Sequence, residues 1–501
     1  MSRELPSKPN LEFLRKQAKE LLRDLQRENA STKLSDAQHT LARDYGFATW
    51  PKLKEYVEEL AHVLSPAEML AAAVRASDAA RAGRVLAGHP ELKAQINEPM
   101  AGYGAGMQAI LAAVQRTDRA MIDVLLAAGA DINARSHWWA GGMGVLDECL
   151  PELAPFLMAR GAVANAHSAA RLGMFPKLQE LVRADPGVVA VHGVNGQMPL
   201  HCASTVEIAK YLLDQGADMD ARDLLHQSTP AQHMVRVVQA RHYPRDRQDI
   251  ARLLVARGCR TDILMAAALG DLDLVRRHLD ADPDSIRTCV SEAYFPKEDS
   301  RSEGTIYVQA FGPERTPHLV ARDFGHEEVF RYLMARSPED VKLAQACDLG
   351  DADLFRALLA SRPNLVATLS DDGWRRLPNA AQNNNTAAVS LMLSGGWPVD
   401  VPGEYGLTAL QWASWHGNAE MVREVLRYRP QLELKDNEHR ISALGSALHG
   451  SENSWHRDTG DYADTVRALL EAGATAPKLT SDLEASEEVR EVLREYEERA
   501  G

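Results

Sequence analysis

Along most of the chain, apolar positions return at helical spacing in short blocks, each closed by Gly or a polar residue. The stretch "LLAAGADINAR" from Leu125 sets the pattern: two apolar residues, two variable ones, then Gly followed by Ala-Asp. It returns as "YLLDQGADMDARD" from Tyr211, "LLVARGCRTD" from Leu253, "VLRYRPQLELKD" from Val425 and "LLEAGATAP" from Leu469. Weaker copies such as "VLAGHPEL", "FLMARGAVAN" and "LMLSGGWPVD" fill the gaps, giving a mean period of about 35 residues. Each unit predicts an inner helix of small residues and a longer outer helix carrying Val/Ile-x-x-Leu-Leu. Small residues let neighbouring helices approach closely, and the apolar pairs fill the layer between units. Gly closing the outer helix supplies a left-handed cap. Thr-Pro opening the inner helix supplies a capping hydroxyl and a ring suited to the first turn.

Residues 406–426, "GLTALQWASWHGNAEMVREVL", resemble the G-x-T-P-L-H-x-A-A-x-x-G-H-x-x-x-V pattern of ankyrin-repeat proteins, with Ala409 in place of Pro and Gln411 in place of His. "RTPHLVARDFGHEEVFRYLM" from Arg315 and "MPLHCASTVEIAKYLL" from Met198 are further copies, so the resemblance spans roughly residues 65–476. It implies an all-α fold: an ankyrin-like α-solenoid of about twelve irregular repeats with helical N- and C-terminal caps. The expected division is 1–64 for the N-terminal helical cap, 65–476 for the array and 477–501 for a C-terminal capping helix. An N-terminal block joined to irregular repeats resembles the bacterial members of the family. In that block Asn10 is expected to cap a helix with Leu11, Leu14, Ala18, Leu21, Leu22 and Leu25 on one face. A second helix follows, and Thr49 and Pro51 open a third. The last helix places Val489, Val492, Leu493 and Tyr496 on one side.

Departures from the period predict where loops have been lost or gained. Three intervals, ending near residues 185, 282 and 362, shrink to about 24 residues, as if the hairpin finger between repeats were deleted. Others grow. The 282–337 interval carries "SEAYFPKEDSRSEGTIYVQAFGPER", in which "TIYVQAF" has the look of a strand. The 429–473 interval carries "HGSENSWHRDTGDY", residues 449–462, where a short turn is due.

The charge changes the picture by exclusion. With 56 basic and 70 acidic residues the chain carries −14, which argues against nucleic-acid partners and against docking on anionic lipid. No apolar run is long enough to cross a membrane, and the N-terminus lacks the apolar core of a signal peptide, so a cytoplasmic location is expected. The five Cys are scattered without a C-x-x-C pair and read as buried reduced thiols. There is no P-loop, nucleophile elbow or zinc-ligand spacing, so neither cofactor nor metal is expected.

The family resemblance places the residues before the repeat Gly on a concave groove: Arg171 and Leu172, Asp323 and Phe324, Asp348 and Leu349, Gln382 and Asn383, Trp415 and His416. Trp412, Trp415 and His416 share one helix face. His449 occupies the next repeat's equivalent of Trp415, and the insertion adds Trp455, His456, Arg457, Asp458 and Asp461. Trp374, Arg375 and Arg376 sit on an expected finger. Two functions are open. The first is recognition of a protein or peptide partner through the groove, with Trp412, Trp415, Trp455, Trp374, Arg375, Asp323 and Phe324 as binding residues. The second is a cofactor-independent enzyme or small-molecule binder, of isomerase, lyase or hydrolase type. It would use His416, His449, His456 and Asp458 for acid–base chemistry, with Arg375 holding an anion. Two structural roles compete with these. Trp455 could plug the space under its own loop, and Asp461 could cap the helix that follows. His201, at the family's T-P-L-H position, is expected to brace the backbone.

Overall fold

The computed structural model describes residues 11–28, 34–45, 47, 49, 50, 52–54, 65–100, 102–236, 247–480 and 483–500. Among them there is helix and turn but no strand. The chain divides into two compact units, Met1–Cys259 with Asp299–Glu303, and Arg260–Glu298 with Gly304–Gly501.

Unit 1 opens with α1 (Leu11–Glu28) and α2 (Leu34–Asp44). Leu14 and Ala18 of α1 pack against Leu41, Ala42, Tyr45 and Leu53, with Leu21, Phe47 and Trp50 at the margin. The Tyr45 hydroxyl donates to Gln17 Oε1 at 2.6 Å, tying the two helices through a polar edge. The expected Asn10 cap, Pro51 and most of the third helix lie outside the described residues. Helix pairs follow: α3 (Pro66–Arg75) and α4 (Ala79–Gly88), α5 (Ala109–Gln115) and α6 (Arg119–Ala127), α7 (Val145–Glu148) and α8 (Ala154–Met158), α9 (Ala166–Arg171) and α10 (Phe175–Ala184). Then come α11 (Val206–Asp214), α12 (Pro230–Met234) and α13 (Gln248–Ala256).

Unit 2 begins with α14 (Ile263–Leu269) and α15 (Leu272–Ala281), followed by the short α16 (Tyr307–Phe311). Its pairs are α17 (Pro317–Asp323) with α18 (Glu327–Arg336), α19 (Glu339–Asp348) with α20 (Ala352–Ser361), and α21 (Asp371–Gln382) with α22 (Thr386–Ser394). The last are α23 (Ala409–Trp415) with α24 (Ala419–Leu426), and α25 (Ala443–Asn453) with α26 (Tyr462–Glu471). The closing α27 (Glu487–Ala500) buries Val489, Val492 and Leu493 on the core, with Tyr496 beside them, the face its spacing predicts.

Six of the outer helices share one start signal. Asp118, Asp271, Asp351, Asn385, Asn418 and Asp461 each accept the backbone N–H three residues on, at 2.9–3.1 Å. Inner helices start at Thr229, Thr316 and Thr408, whose hydroxyls do the same. The T-P-L-H histidine then acts as a brace. His201 Nδ1 accepts from the Met198 amide and Nε2 donates to the Ser228 carbonyl, both at 3.1 Å. Gln411 takes that place in its own repeat, where its Nε2 donates to the Leu434 and Ile441 carbonyls at 2.9 Å.

Where the finger is missing, the brace changes. Only Ser337 and Pro338 separate α18 from α19, and His318 finds Ser337 Oγ at 2.7 Å while its Nδ1 has no partner. The expectation of a strand at "TIYVQAF" is corrected: residues 307–311 are helical. Tyr307 stacks on Phe311 one helical turn away at 4.8 Å, and its hydroxyl donates to Asp262 at 2.9 Å. A short apolar run fits either period until its neighbours choose.

None of the five Cys forms a disulfide; Cys149, Cys202, Cys259 and Cys347 are buried and Cys289 is half-buried. Burial pushes the Cys149 and Cys347 thiols up, and that of Cys289 to about 11. Because the thiolate is the nucleophile, the native chain is expected to react with a thiol-disulfide reagent at pH 8 far more slowly than the guanidinium-unfolded chain. A thiol titrating at once in the native state would contradict this.

Candidate functional site at the C-terminal helices

Helix α25 runs 11 residues against seven in α23, and its extra turn takes up the start of the 449–462 insertion. The rest folds back onto the end of α23. The Tyr462 hydroxyl donates to the Trp415 carbonyl at 2.9 Å, and the Asp461 amide to the Gly417 carbonyl at 2.9 Å. Gly417 has φ +63°, and a Cβ there would lie 2.8 Å from the Tyr462 ring. Only Gly fits both the backbone and the space.

This docking assembles a wall of indole and imidazole rings. Trp415 lies 5.4 Å from His449 and 6.4 Å from Trp455. His416 lies 6.0 Å from Trp455, 5.1 Å from His456 and 6.1 Å from Trp412. Burial runs opposite to expectation at His416, expected on the open groove and only 2% exposed. Trp455, a binding candidate for which a plug under its own loop was the competing role, is 73% exposed and lies against His416 from outside.

His416 Nε2 donates to the Gln382 carbonyl at 2.8 Å, which fixes the tautomer. Burial lowers its pKa, so the ring is neutral near pH 7 and Nδ1 keeps a lone pair without a partner. The Nε1 groups of Trp412 and Trp415 also lack partners among the described residues. His449 Nδ1 is engaged by Glu484 Oε2 at 3.0 Å. The Asp458 carboxylate is 83% exposed, lies 3.8 Å from Arg457 and orients no imidazole among the described residues. Asp461 is a helix cap, as expected.

Beside the wall opens a cleft of about 1030 Å³ lined by His416, His456, Asn384, Thr386, Asn418, Glu420, Arg423, Glu424, Arg427, Asp461 and Asp464. Arg423 is held by Asp464 in two contacts of 2.6 Å and Arg427 by Glu424 at 2.6 Å. Asn418 Nδ2 donates to Asn384 Oδ1 at 2.8 Å and Thr386 Oγ1 at 3.0 Å.

The remaining sequence candidates fall elsewhere. Trp374 and Arg375 are not on a finger but in the first turns of α21. There Trp374 Nε1 donates to the Val366 carbonyl at 3.2 Å and Arg375 pairs with Asp372 at 3.2 Å. Asp323 is paired with Arg315, and Phe324 packs edge-on to Phe311 at 5.9 Å. Arg171 is not on an open surface. It is 7% exposed and donates to the Leu146 and Cys149 carbonyls at 2.6 and 2.9 Å.

Sequence reasoning missed a second polar cluster in unit 2. Arg376 pairs with Asp348 at 3.1 Å, yet burial pushes the Asp348 carboxyl up. Burial also raises Glu314, which lies 3.5 Å from the Cys289 thiol. The residues come from separate repeats, so no local pattern announces them. In unit 1, donor atoms of His201, Asp223 and His233 lie within 4.8 Å of one another. His201 has both nitrogens engaged, and Asp223 accepts from the His226 and Ser228 amides and from His233 Nε2. That arrangement ties three segments together and leaves no open donor set.

A family model of the ankyrin repeat matches residues 195–224, and one of three ankyrin-repeat copies matches residues 343–436. Those two stretches of the chain are ankyrin repeats. The three-copy match takes in Trp412, Trp415 and His416, whereas residues 449–462 lie beyond its end. The ring wall is thus an ankyrin inner helix overlaid by an insertion that the matched repeats do not include. Ankyrin repeats are in general protein–protein interaction modules. A comparison with curated proteins returns no match. Among the described residues no helix is long and apolar enough to cross a membrane.

Proposed function

We propose that this protein recognises a protein or peptide segment on the inner-helix side of its C-terminal repeats, with Trp455, Trp415, His449 and His456 forming the contact. The observation that carries the reading is Trp455. An indole 73% exposed, held edge-on to Trp415 and tilted over His416, costs solvation unless something covers it. Trp is also the residue type that most often anchors protein interfaces. Asp323, Phe324, Trp374 and Arg375 have internal partners and stand outside this contact.

A second reading, acid–base chemistry on a small molecule, draws on His416 and His456 facing one another in a cleft. His449 and Asp458 are occupied by Glu484 and Arg457, so that reading ranks second.

The test places a photo-crosslinking benzoylphenylalanine at position 455 and, as control, at Arg331 on the exposed side of outer helix α18. Expressed in the native host, the 455 derivative is expected to give one discrete protein adduct that the 331 derivative lacks. Identical patterns from both positions would sink the proposal.

A further inference from the structure

Five residues of the 291–315 insertion, Asp299–Glu303, belong to unit 1 and lie on the tips of its hairpin fingers. Those tips hold one another. Trp138 Nε1 donates to Asn195 Oδ1 at 3.0 Å, and the Leu224 and Leu225 amides donate to the Asn195 carbonyl at 2.9 and 3.0 Å. Gly141, at φ +113°, brings its backbone against the Gly193 carbonyl. The result is a fixed platform with two open groups. Among the described residues the fingers offer no donor to the Leu225 carbonyl, although Leu225 is only 6% exposed, and a buried acceptor needs one. The other is the half-buried ring of Trp139.

The five residues answer both. The Arg301 guanidinium lies over the Trp139 ring at 4.5 Å. The Ser302 hydroxyl and the Glu303 amide donate to the Leu225 carbonyl at 2.7 and 2.9 Å. The segment is already shaped for this contact. Asp299 accepts from the Arg301 amide, Nε and Nη2 at 2.7–3.1 Å, and the Ser302 amide donates to the Asp299 carbonyl at 3.0 Å. The turn thus takes the guanidinium's edge and leaves its flat face for the indole, where Arg stacks well. A turn that braces its own Arg loses little freedom on docking. The attachment is polar and superficial, with the Arg301 side chain 64% exposed, so a competing segment of the same chemistry can replace it. We propose that the finger tips around Trp139 and Leu225 are a docking site for an arginine-bearing turn of a partner protein, and that residues 299–303 fill it until that partner displaces them. The partner's turn carries a carboxylate-braced Arg followed by a hydroxyl residue, the chemistry already seated there. The site shares no residue with the C-terminal ring wall.

The probe is a fluorescein-labelled peptide of residues 297–305, read by fluorescence polarisation with the full chain. A segment tethered in the same chain competes at an effective concentration of about 1 mM, so the wild type is expected to bind the probe weakly. Arg301→Ala/Ser302→Ala releases the tethered segment and is expected to bind the probe about tenfold more tightly. Glu303→Pro deletes the amide donor to Leu225 and is expected to shift affinity the same way. It carries the comparison if the double variant loses its helical circular dichroism. In either released background Trp139→Leu is expected to abolish the gain, and a probe carrying Arg301→Ala is expected not to bind. Equal binding by the wild type and the released variants, or binding by none of them, would overturn the proposal. So would wild-type dimers that grow with concentration and vanish on Arg301→Ala/Ser302→Ala, because the occupant would then be the 299–303 segment of a second copy.

Discussion

Acidification from pH 7 to pH 5 is expected to remove about 2 kcal/mol of stability through each of two buried histidines, one in each unit. In each unit it is the histidine that burial lowers furthest. His167, His278 and His416, lowered as well, add to the same loss, while Asp348 and Glu314, raised by burial, oppose it in unit 2. Burial lowers His201 in unit 1 to about 3 and His318 in unit 2 to about 4, from an ordinary 6.5. Both are therefore neutral when folded, while the unfolded chain takes up their protons. A histidine with a lowered folded pKa contributes stability that is complete above the unfolded value and falls as pH drops through it. The loss stops only where the folded group protonates, near 4 for His318 and near 3 for His201. At pH 5 each lies about 1.5 units below the unfolded pKa, which gives about 2 kcal/mol apiece.

Asp223 has its pKa lowered to about 2, so its contribution begins to fall only below the ordinary carboxylate value and does not blur this window. Its neighbour His233, within hydrogen-bond reach, belongs to the same buried group. Urea midpoints at the two pH values read the effect. The His201→Gln variant separates it from general charge effects, because Gln411 already performs the same bracing without titrating. The variant is expected to lose the share of the pH dependence that His201 carries, leaving that of His167. Midpoints unchanged between pH 7 and 5 in the wild type would show that His201 and His318 are not held neutral.

The repeat architecture was legible because its signals are local and redundant. Each unit repeats a capping Thr or Asp, an Ala-rich inner helix and a Leu pair, so single departures such as Ala409 and Gln411 do not hide it. The α27 face was equally readable, since Val489, Val492, Leu493 and Tyr496 follow one period. What escaped the sequence depends on contacts between segments far apart. His416 carries the family's groove-facing spacing and is nevertheless buried, because residues 455 and 456 return from an insertion to cover it. Trp455 could have plugged its own loop and instead lies outermost, because Tyr462 and Asp461 make the contacts with the end of α23 beneath the turn. The Arg376–Asp348 and Glu314–Cys289 contacts join residues about 25 apart or more, beyond any helical or strand period.

Gly450→Ala is expected to destabilise unit 2 by about 2 kcal/mol and to dismantle the ring wall with it. In an isolated helix the same change would stabilise by up to about 1 kcal/mol, because Ala is the better helix former. Here a Cβ on residue 450 would stand 2.4 Å from the Trp415 carbonyl oxygen and 3.1 Å from its carbonyl carbon and Cα. Those are backbone atoms at the end of α23, unable to turn aside as a side chain can, so α25 must withdraw. Withdrawal draws His449 off Trp415 and moves Trp455 off His416, opening the buried imidazole to water. The control lies five residues earlier in the same helix. At Gly445 the nearest neighbour of a new Cβ is Ile441 Cβ at 3.4 Å, an ordinary contact, so Gly445→Ala is expected to be neutral or mildly stabilising. Urea unfolding of the two variants, followed by Trp fluorescence, compares one helix and one substitution in two settings. A Gly450→Ala midpoint no lower than that of Gly445→Ala would mean that α23 and α25 do not meet as closely as drawn. The wall built on that approach, and the cleft beside it, would fall together.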